Sequence, residues 1–458
     1  MPTSAAGSLV TGTDLDNLLT GTAGDDTILG LGGNDILNGQ AGNDSLDGGD
    51  GADVINAGDG ADTVLGGAGA DNILGGADND SLDGGAGNDT IHGEAGDDTI
   101  TGGTESDSLS GGDGNDSVTG GDGNDLLQGD AGDDTLNGEA GNDTIYGNAG
   151  NDSSVGGDGA DYLQDSEGNN TAQGGAGNDT IYGAGLIEGG DDDDNLNYLA
   201  YYWEGHPAAT VLGGAGNDYI SPWSYYNLDG TALDGGDGND FINGSYFSDS
   251  LLGGDGNDSL NGGEGNDTIN GGDGTDRAYY SGTIDQYTVL RDGIDFLVYD
   301  NRNGSPDGVD RLRNVETLVF SGGAEFQPTS ANTGTLQTGT ADNDALTGSA
   351  YGDQIDGGDG DDTILGLGGN DILNGQAGND SIDGGDGADV INAGDGADTV
   401  LGGAGADSIL GGADHDSLDG GAGNDTIHGE AGDDTITGGT ESDSLSGGDG
   451  NDSVTGGD

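Results

Sequence analysis

The stretch Gly84–Ile100 reads GGAGNDTIHGEAGDDTI, and the same seventeen letters return at Gly420–Ile436. Within it Asn88-Asp89 is followed nine residues later by Asp97-Asp98, and each pair sits between a glycine turn and a short aliphatic run. Extending this spacing outward gives an unbroken nine-residue register from Gly12 to Tyr182, which is 19 copies of G-G-x-G-x-D-x-U-x, with U a large aliphatic. Position 6 is Asp in all but two of these copies, where it is Asn17 and Asn170. Position 8 is Leu, Ile or Val in all but two, where it is Ser154 and Ala172.

The glycines permit positive φ and close backbone approach, so the first six residues are expected to form a tight loop with inward carbonyls. The last three are expected to form a strand whose middle side chain faces a core. Two nonapeptides return the chain to its starting side, and coils stacked at about 4.8 Å give an all-β parallel β-solenoid with a thin aliphatic interior.

Charge shows what such a stack lacks. The 458 residues carry 89 Asp plus Glu against 5 Lys plus Arg, a formal net charge of -84, with 107 glycines and 30% hydrophobic residues. Self-repulsion and backbone entropy on that scale oppose folding in the absence of a counter-ion. Nucleic acid is excluded as a partner, because phosphate contacts need a basic surface. Cysteine is absent, and His92, His206, His415 and His428 are too scattered for a zinc cluster, so oxygen is the abundant ligand. No basic start with an apolar run marks a cleaved leader, and no run approaches the length of a membrane span.

Stacking aligns the position-6 carboxylates along both edges, where like charges repel unless a divalent cation bridges successive loops. A flexible all-oxygen cage suits Ca2+ better than Mg2+. The candidate side-chain ligands in the first array are Asp26, Asp35, Asp44, Asp53, Asp62, Asp71, Asp80, Asp89, Asp98, Asp107, Asp116, Asp125, Asp134, Asp143, Asp152, Asp161 and Asp179. Isolated copies add Asp194 and Asp218, and a run of five adds Asp240, Asp249, Asp258, Asp267 and Asp276. A second array adds Asp344, Asp353, Asp362, Asp371, Asp380, Asp389, Asp398, Asp407, Asp416, Asp425, Asp434, Asp443 and Asp452. Bridging ions between same-side loops would number roughly 30.

The repeat resembles the hemolysin-type calcium-binding nonapeptide of the RTX (repeats-in-toxin) proteins. That resemblance implies a right-handed parallel β-roll with Ca2+ in the turns, type I secretion without a cleaved leader, and folding on meeting extracellular calcium. It makes each position-6 Asp a ligand, with loop carbonyls completing the shell and Asn copies binding more weakly. The implied role is a secreted structural, surface or adhesion module with a possible cell-surface glycan or matrix partner. The alternative is the non-catalytic export and stabilising region of a larger RTX enzyme or toxin. No G-x-S-x-G, H-E-x-x-H, P-loop or EF-hand pattern points to catalysis or to another calcium motif.

The expected domains are a lead-in at 1–11, a roll at 12–182, an interrupted aromatic-rich segment at 183–234 and a further roll at 235–279. A β-rich cap at 280–323 and a linker at 324–338 lead to a second array at 339–458. Trp203 and Trp223 lie in the interrupted segment, read either as a sugar-stacking patch or as packing beside broken coils. In the cap, YTVL, FLVY and TLVF alternate like strands, with RDGID as a hairpin signal. Its arginines either bind an acidic partner or offset local charge. Residues 361–458 repeat 25–122 with three changes, and the ending GGD falls inside a copy, the expectation for part of a longer protein. Position 7 of alternate copies reads Thr27, Ser45, Thr63, Ser81, Thr99, a hydroxyl file that is either a docking face or a product of good cross-strand pairing.

Overall fold

The computed structural model describes residues 7–198, 209–222, 230–329 and 332–457. Trp203 and Trp223, with Tyr201, Tyr202, Tyr225 and Tyr226, lie outside the described residues. The chain divides into two compact units, 1–279 and 280–458.

The first unit is a parallel β-roll. Strands Thr27–Leu31, Ser45–Asp50, Thr63–Ala68 and Ser81–Ala86 pair in sequence order, with Thr27, Ser45, Thr63 and Ser81 in register. The intervening strands Ile36–Ala41, Val54–Asp59, Asn72–Ala77 and Thr90–Ala95 form the second wall with the same 18-residue step. Position 8 fills the interior: Ile28, Leu46 and Val64 from one wall, Leu37, Ile55 and Ile73 from the other, all at 0 or 1% exposure. Burying one such side chain is worth about 1.5–3 kcal/mol, well short of the conformational entropy of nine ordered residues.

The strands are longer than the three residues expected. Ser45–Asp50 runs through positions 7 to 9 and on to position 3, because Gly49 and Asp50 still pair with Gly67 and Ala68 of the next coil. The bend falls at Gly49 (φ 100), where a Cβ would sit 2.2 Å from the Leu31 carbonyl oxygen of the coil below. Position 1, glycine in nearly every copy, is also inward and buried, as at Gly30, Gly39 and Gly48.

The roll continues in the described residues of 183–234, at 183–198, 209–222 and 230–234. The step from Asp179 to Asp194 shortens to 15 residues, and the following steps to Asp218 and Asp240 lengthen to 24 and 22. Ile187, Val211 and Leu233 keep one file of the core, and Leu196, Ile220 and Ile242 the other, each at 0 to 2% exposure. Only the aspartate and the aliphatic must stay in register, so the other turn is free to change length. Tyr198 is fully buried, with its hydroxyl donating to the Asn243 carbonyl at 3.3 Å.

The second unit opens with antiparallel strands. Tyr287–Asp292 and Asp295–Asp300 form a hairpin across Gly293 and Ile294, and Val309–Arg313 pairs beside them. Three arginines of this segment pair with its own aspartates. Arg302 reaches Asp300 and Asp307 at 2.8 and 2.9 Å, Arg311 reaches Asp292 and Asp295, and Arg313 reaches Asp295. Residues 324–338, read as a linker, carry strands Ala324–Phe326 and Gly334–Thr338. The latter pairs with Gln354–Asp359, so the second roll starts one coil before its first complete nonapeptide pair. A backbone ladder needs no position-6 Asp on its lower side, which explains why the repeat pattern starts late. From there to Ser453–Gly457 the 18-residue step continues on both walls.

Candidate metal centres

Each position-6 aspartate sits at a corner between turn and strand, and its two carboxylate oxygens have different fates. The Asp35 N–H donates to Asp53 Oδ1 at 2.6 Å, and the Asp53 N–H donates to Asp71 Oδ1 at 2.7 Å. The same bond recurs up both edges and in the second roll, as from Asp371 to Asp389 at 2.9 Å. Position 5 forms an outer ladder of opposite sense: Asn151 N–H donates down to Asp133 Oδ1 at 2.8 Å, and Asp133 N–H to Asn115 Oδ1 at 2.7 Å. Turns with Asn or Asp at position 5 are therefore clasped from above and below, whereas copies with alanine there, such as Ala52 and Ala70, offer no acceptor to the outer ladder.

Oδ2 is the unused atom. In Asp44, Asp53, Asp62, Asp71, Asp80 and most of their counterparts, up to Asp434 and Asp443, it is buried with no hydrogen-bond partner. Native interiors rarely leave polar atoms so, and a buried unpaired charge is costlier still. A second acceptor faces the same space. The point where a Cβ on Gly48 would sit is 2.4 Å from Asp53 Oδ2 and 2.5 Å from the Gly66 carbonyl oxygen. At Gly39 the corresponding distances to Asp44 Oδ2 and the Ala57 carbonyl are both 2.4 Å, and at Gly384 those to Asp389 Oδ2 and the Gly402 carbonyl are 2.4 and 2.5 Å. Two converging acceptors with no donor between them form the electrostatic complement of a hard cation with oxygen ligands. They also account for glycine at position 1 in most copies, with buried Ala57 and Ala393 as exceptions.

Burial raises these carboxyls, each accepted backbone N–H lowers them, and neighbouring aspartates raise them again. The balance pushes Asp62 and Asp71 up to about 6 and Asp80 and Asp107 up to about 7 from an ordinary 3.8. Like carboxylates stacked without counter-charge hold their protons, and a divalent ion removes that penalty. Among the described residues no three His, Cys, Asp or Glu side chains converge as a ligand group. Backbone carbonyls would supply most of each shell.

Four of the expected ligands stand apart. Asp26 Oδ2 accepts from the Thr22 N–H, Asp249 Oδ2 from Ser245 (2.6 Å), Asp344 Oδ2 from Thr340 (2.6 Å) and Asp353 Oδ2 from Ser349 (2.7 Å). A Ser or Thr at position 2 turns its N–H and hydroxyl onto the carboxylate and satisfies it without an ion. That substitution was visible in the sequence. Asp26 is accordingly held down, to about 2, chiefly by the Thr22 N–H.

The two edges of the first roll differ. One carries an unbroken file from Asp35 through Asp161, Asp179, Asp194, Asp218 and Asp240 to Asp276. On the other, the file reaches Asp152 and then gives way to Asn170, Gly185, Ala209 and Thr231 before Asp249 resumes it.

A family model described as the RTX calcium-binding nonapeptide repeat (4 copies) matches residues 11–185, 210–221, 232–278 and 338–458 in overlapping or abutting spans. A search of curated proteins finds no match. Among solved structures, the crystal structure of the extracellular lipase LipA from Serratia marcescens aligns at 18% identity and a TM-score of 0.20. The alignment covers 51% of this chain and 38% of the lipase chain.

Proposed function

The chain belongs to the RTX calcium-binding nonapeptide repeat family, and from that premise we propose that it is a secreted, extracellular structural or surface module whose rolls form as Ca2+ enters their corners. The observation that supports this reading is the repeated buried Asp Oδ2 that has no donor and faces a glycine carbonyl. One aliphatic side chain per nonapeptide is too little to hold the coils against their charge, so binding free energy becomes folding free energy. The side-chain ligands in this reading are the position-6 aspartates, except at the four corners already closed by Ser or Thr. The long parallel walls would serve as the surface through which such a module meets a glycan or matrix partner. No helix among the described residues is long and apolar enough to cross a membrane.

The test is a Ca2+ titration of the full chain followed by far-UV circular dichroism, with metal analysis of the folded product. A coil-to-β transition that reverses in chelator is expected. Equal β content in chelator, or a folded product without bound calcium, would overturn the reading.

A further inference from the structure

Four departures from the repeat meet where the Asp file of one edge ends. Asp165 replaces the position-1 glycine, Asn170 the position-6 aspartate, and Ser154 and Ala172 the inward aliphatics of two successive coils on that wall. Singly, each is unfavourable: an inward carboxylate, a missing ladder charge and two shortened core side chains. Together they fit one another.

Position 1 points inward, so Asp165 is fully buried, and Ser154 beneath it is fully buried as well. The Asp165 carboxylate leans onto the coil below. The point where a Cβ on Gly147 would sit is 2.6 Å from Asp165 Oδ1 and 2.7 Å from Asp152 Oδ2. In the regular corners this point faces one carboxylate and one carbonyl, whereas here it faces two carboxylates. Asn170 keeps the backbone ladder, its Oδ1 accepting the Asp152 N–H at 2.9 Å, and its Nδ2 donates to Asp165 Oδ1 at 2.6 Å. The carboxyl lost at Asn170 is thus returned from the other side of the same turn. Asp152 Oδ2 and Asp165 Oδ2 remain buried with no hydrogen-bond partner of good geometry, and Ser154 lies close enough to the Asp165 carboxyl to act on it as a side-chain donor.

We propose that Asp165 and Ser154 convert the Asp152 corner into a site for one hard divalent cation, distinct in ligand set from the regular corners and tighter than they are. It rests on the reading that cations hold the corners. Two carboxylates match the charge of one divalent ion, and ligand charge is what tunes affinity in oxygen cages. The site would fasten the end of the Asp file, where the next coil on that edge offers only Gly185.

The test uses the full chain held folded in Ca2+, with Tb3+ as the probe, added up to one equivalent so that it exchanges first into the tightest site, and read by tyrosine-sensitised luminescence. Tyr146 and Tyr162, at a ring separation of 6.2 Å, lie on the strands that carry Gly147 and Asp165. Asp165→Asn is expected to weaken binding of this first equivalent about tenfold, with unchanged β content in saturating Ca2+. Superimposable curves for the wild type and Asp165→Asn would overturn the proposal. Should Asp165→Asn fail to fold, the triple variant S154L/D165G/N170D restores a regular corner and should lose the tight first equivalent; its retention would overturn the proposal. Loss of Tb3+ and Ca2+ binding everywhere would instead overturn the general calcium reading, and this site with it.

Discussion

The N–H of Asp80 donates to Asp98 Oδ1 at 2.8 Å, while Asp98 Oδ2 is buried with no partner. One carboxylate thus performs two tasks, tying down the coil below and facing the candidate cation space.

Substitutions at Asp98 separate the two tasks. Asp98→Asn retains an acceptor for the Asp80 N–H but turns a donor toward the cation space, whereas Asp98→Ala removes both. In calcium, hydrogen exchange should show local protection near Asp80 falling little in the Asn variant and by about 1–3 kcal/mol in the Ala variant. The calcium midpoint of those coils should rise in both. Because each coil contacts only its neighbours, distant coils should be unaffected.

Without metal, acid should favour the roll. Burial holds Asp62 and Asp71 at about 6 and Asp80 and Asp107 at about 7 in the folded state, above the ordinary 3.8. Protons therefore bind the folded form more tightly. Their stabilisation is complete below pH 3.8 and is lost as pH rises through 6 to 7. In chelator, circular dichroism should show more β structure at pH 4 than at pH 7.5, and saturating calcium should abolish the difference. A chelated chain that stays coil at pH 4 would contradict this.

Gly48→Ala tests the corner sterically. The new methyl would lie 2.4 Å from Asp53 Oδ2 and 2.5 Å from the Gly66 carbonyl, so one of them must move. A destabilisation of about 1–3 kcal/mol is expected, together with weaker calcium binding at that corner. A chelated, acid-folded roll should show the packing penalty alone.

Arg302→Ala addresses the second unit. Arg302 lies between Asp300 and Asp307 and beneath the Tyr287 ring, 5.3 Å from its centroid. Removing it leaves two nearly buried carboxylates unpaired, while the residual exposure of Arg302 moderates the loss to about 1–3 kcal/mol. Protection of the Tyr287–Asp300 hairpin should fall whether or not calcium is present.

The nine-residue spacing made the roll, its inward aliphatics and its files of aspartate legible, because one turn chemistry was repeated unaltered. Less legible was its persistence beyond Tyr182, since pattern reading counts residues and the coils there take 15, 24 and 22. The private closure of Asp26 and Asp353 by Thr22 and Ser349 depends on a contact that spacing does not encode, although the hydroxyl residue at position 2 was its sign. Asp165 read as one more acidic residue in a broken copy. Only the inward direction of position 1 reveals where its carboxylate goes.

The uneven coils carry a practical meaning. A perimeter whose coils take 15, 24 or 22 residues while the aspartate and aliphatic files stay in register would suit a display scaffold, with cargo peptide carried as extra coil length. The address of such cargo along the first roll is then set by how many aspartate rungs precede it, whatever the length of the sequence between them.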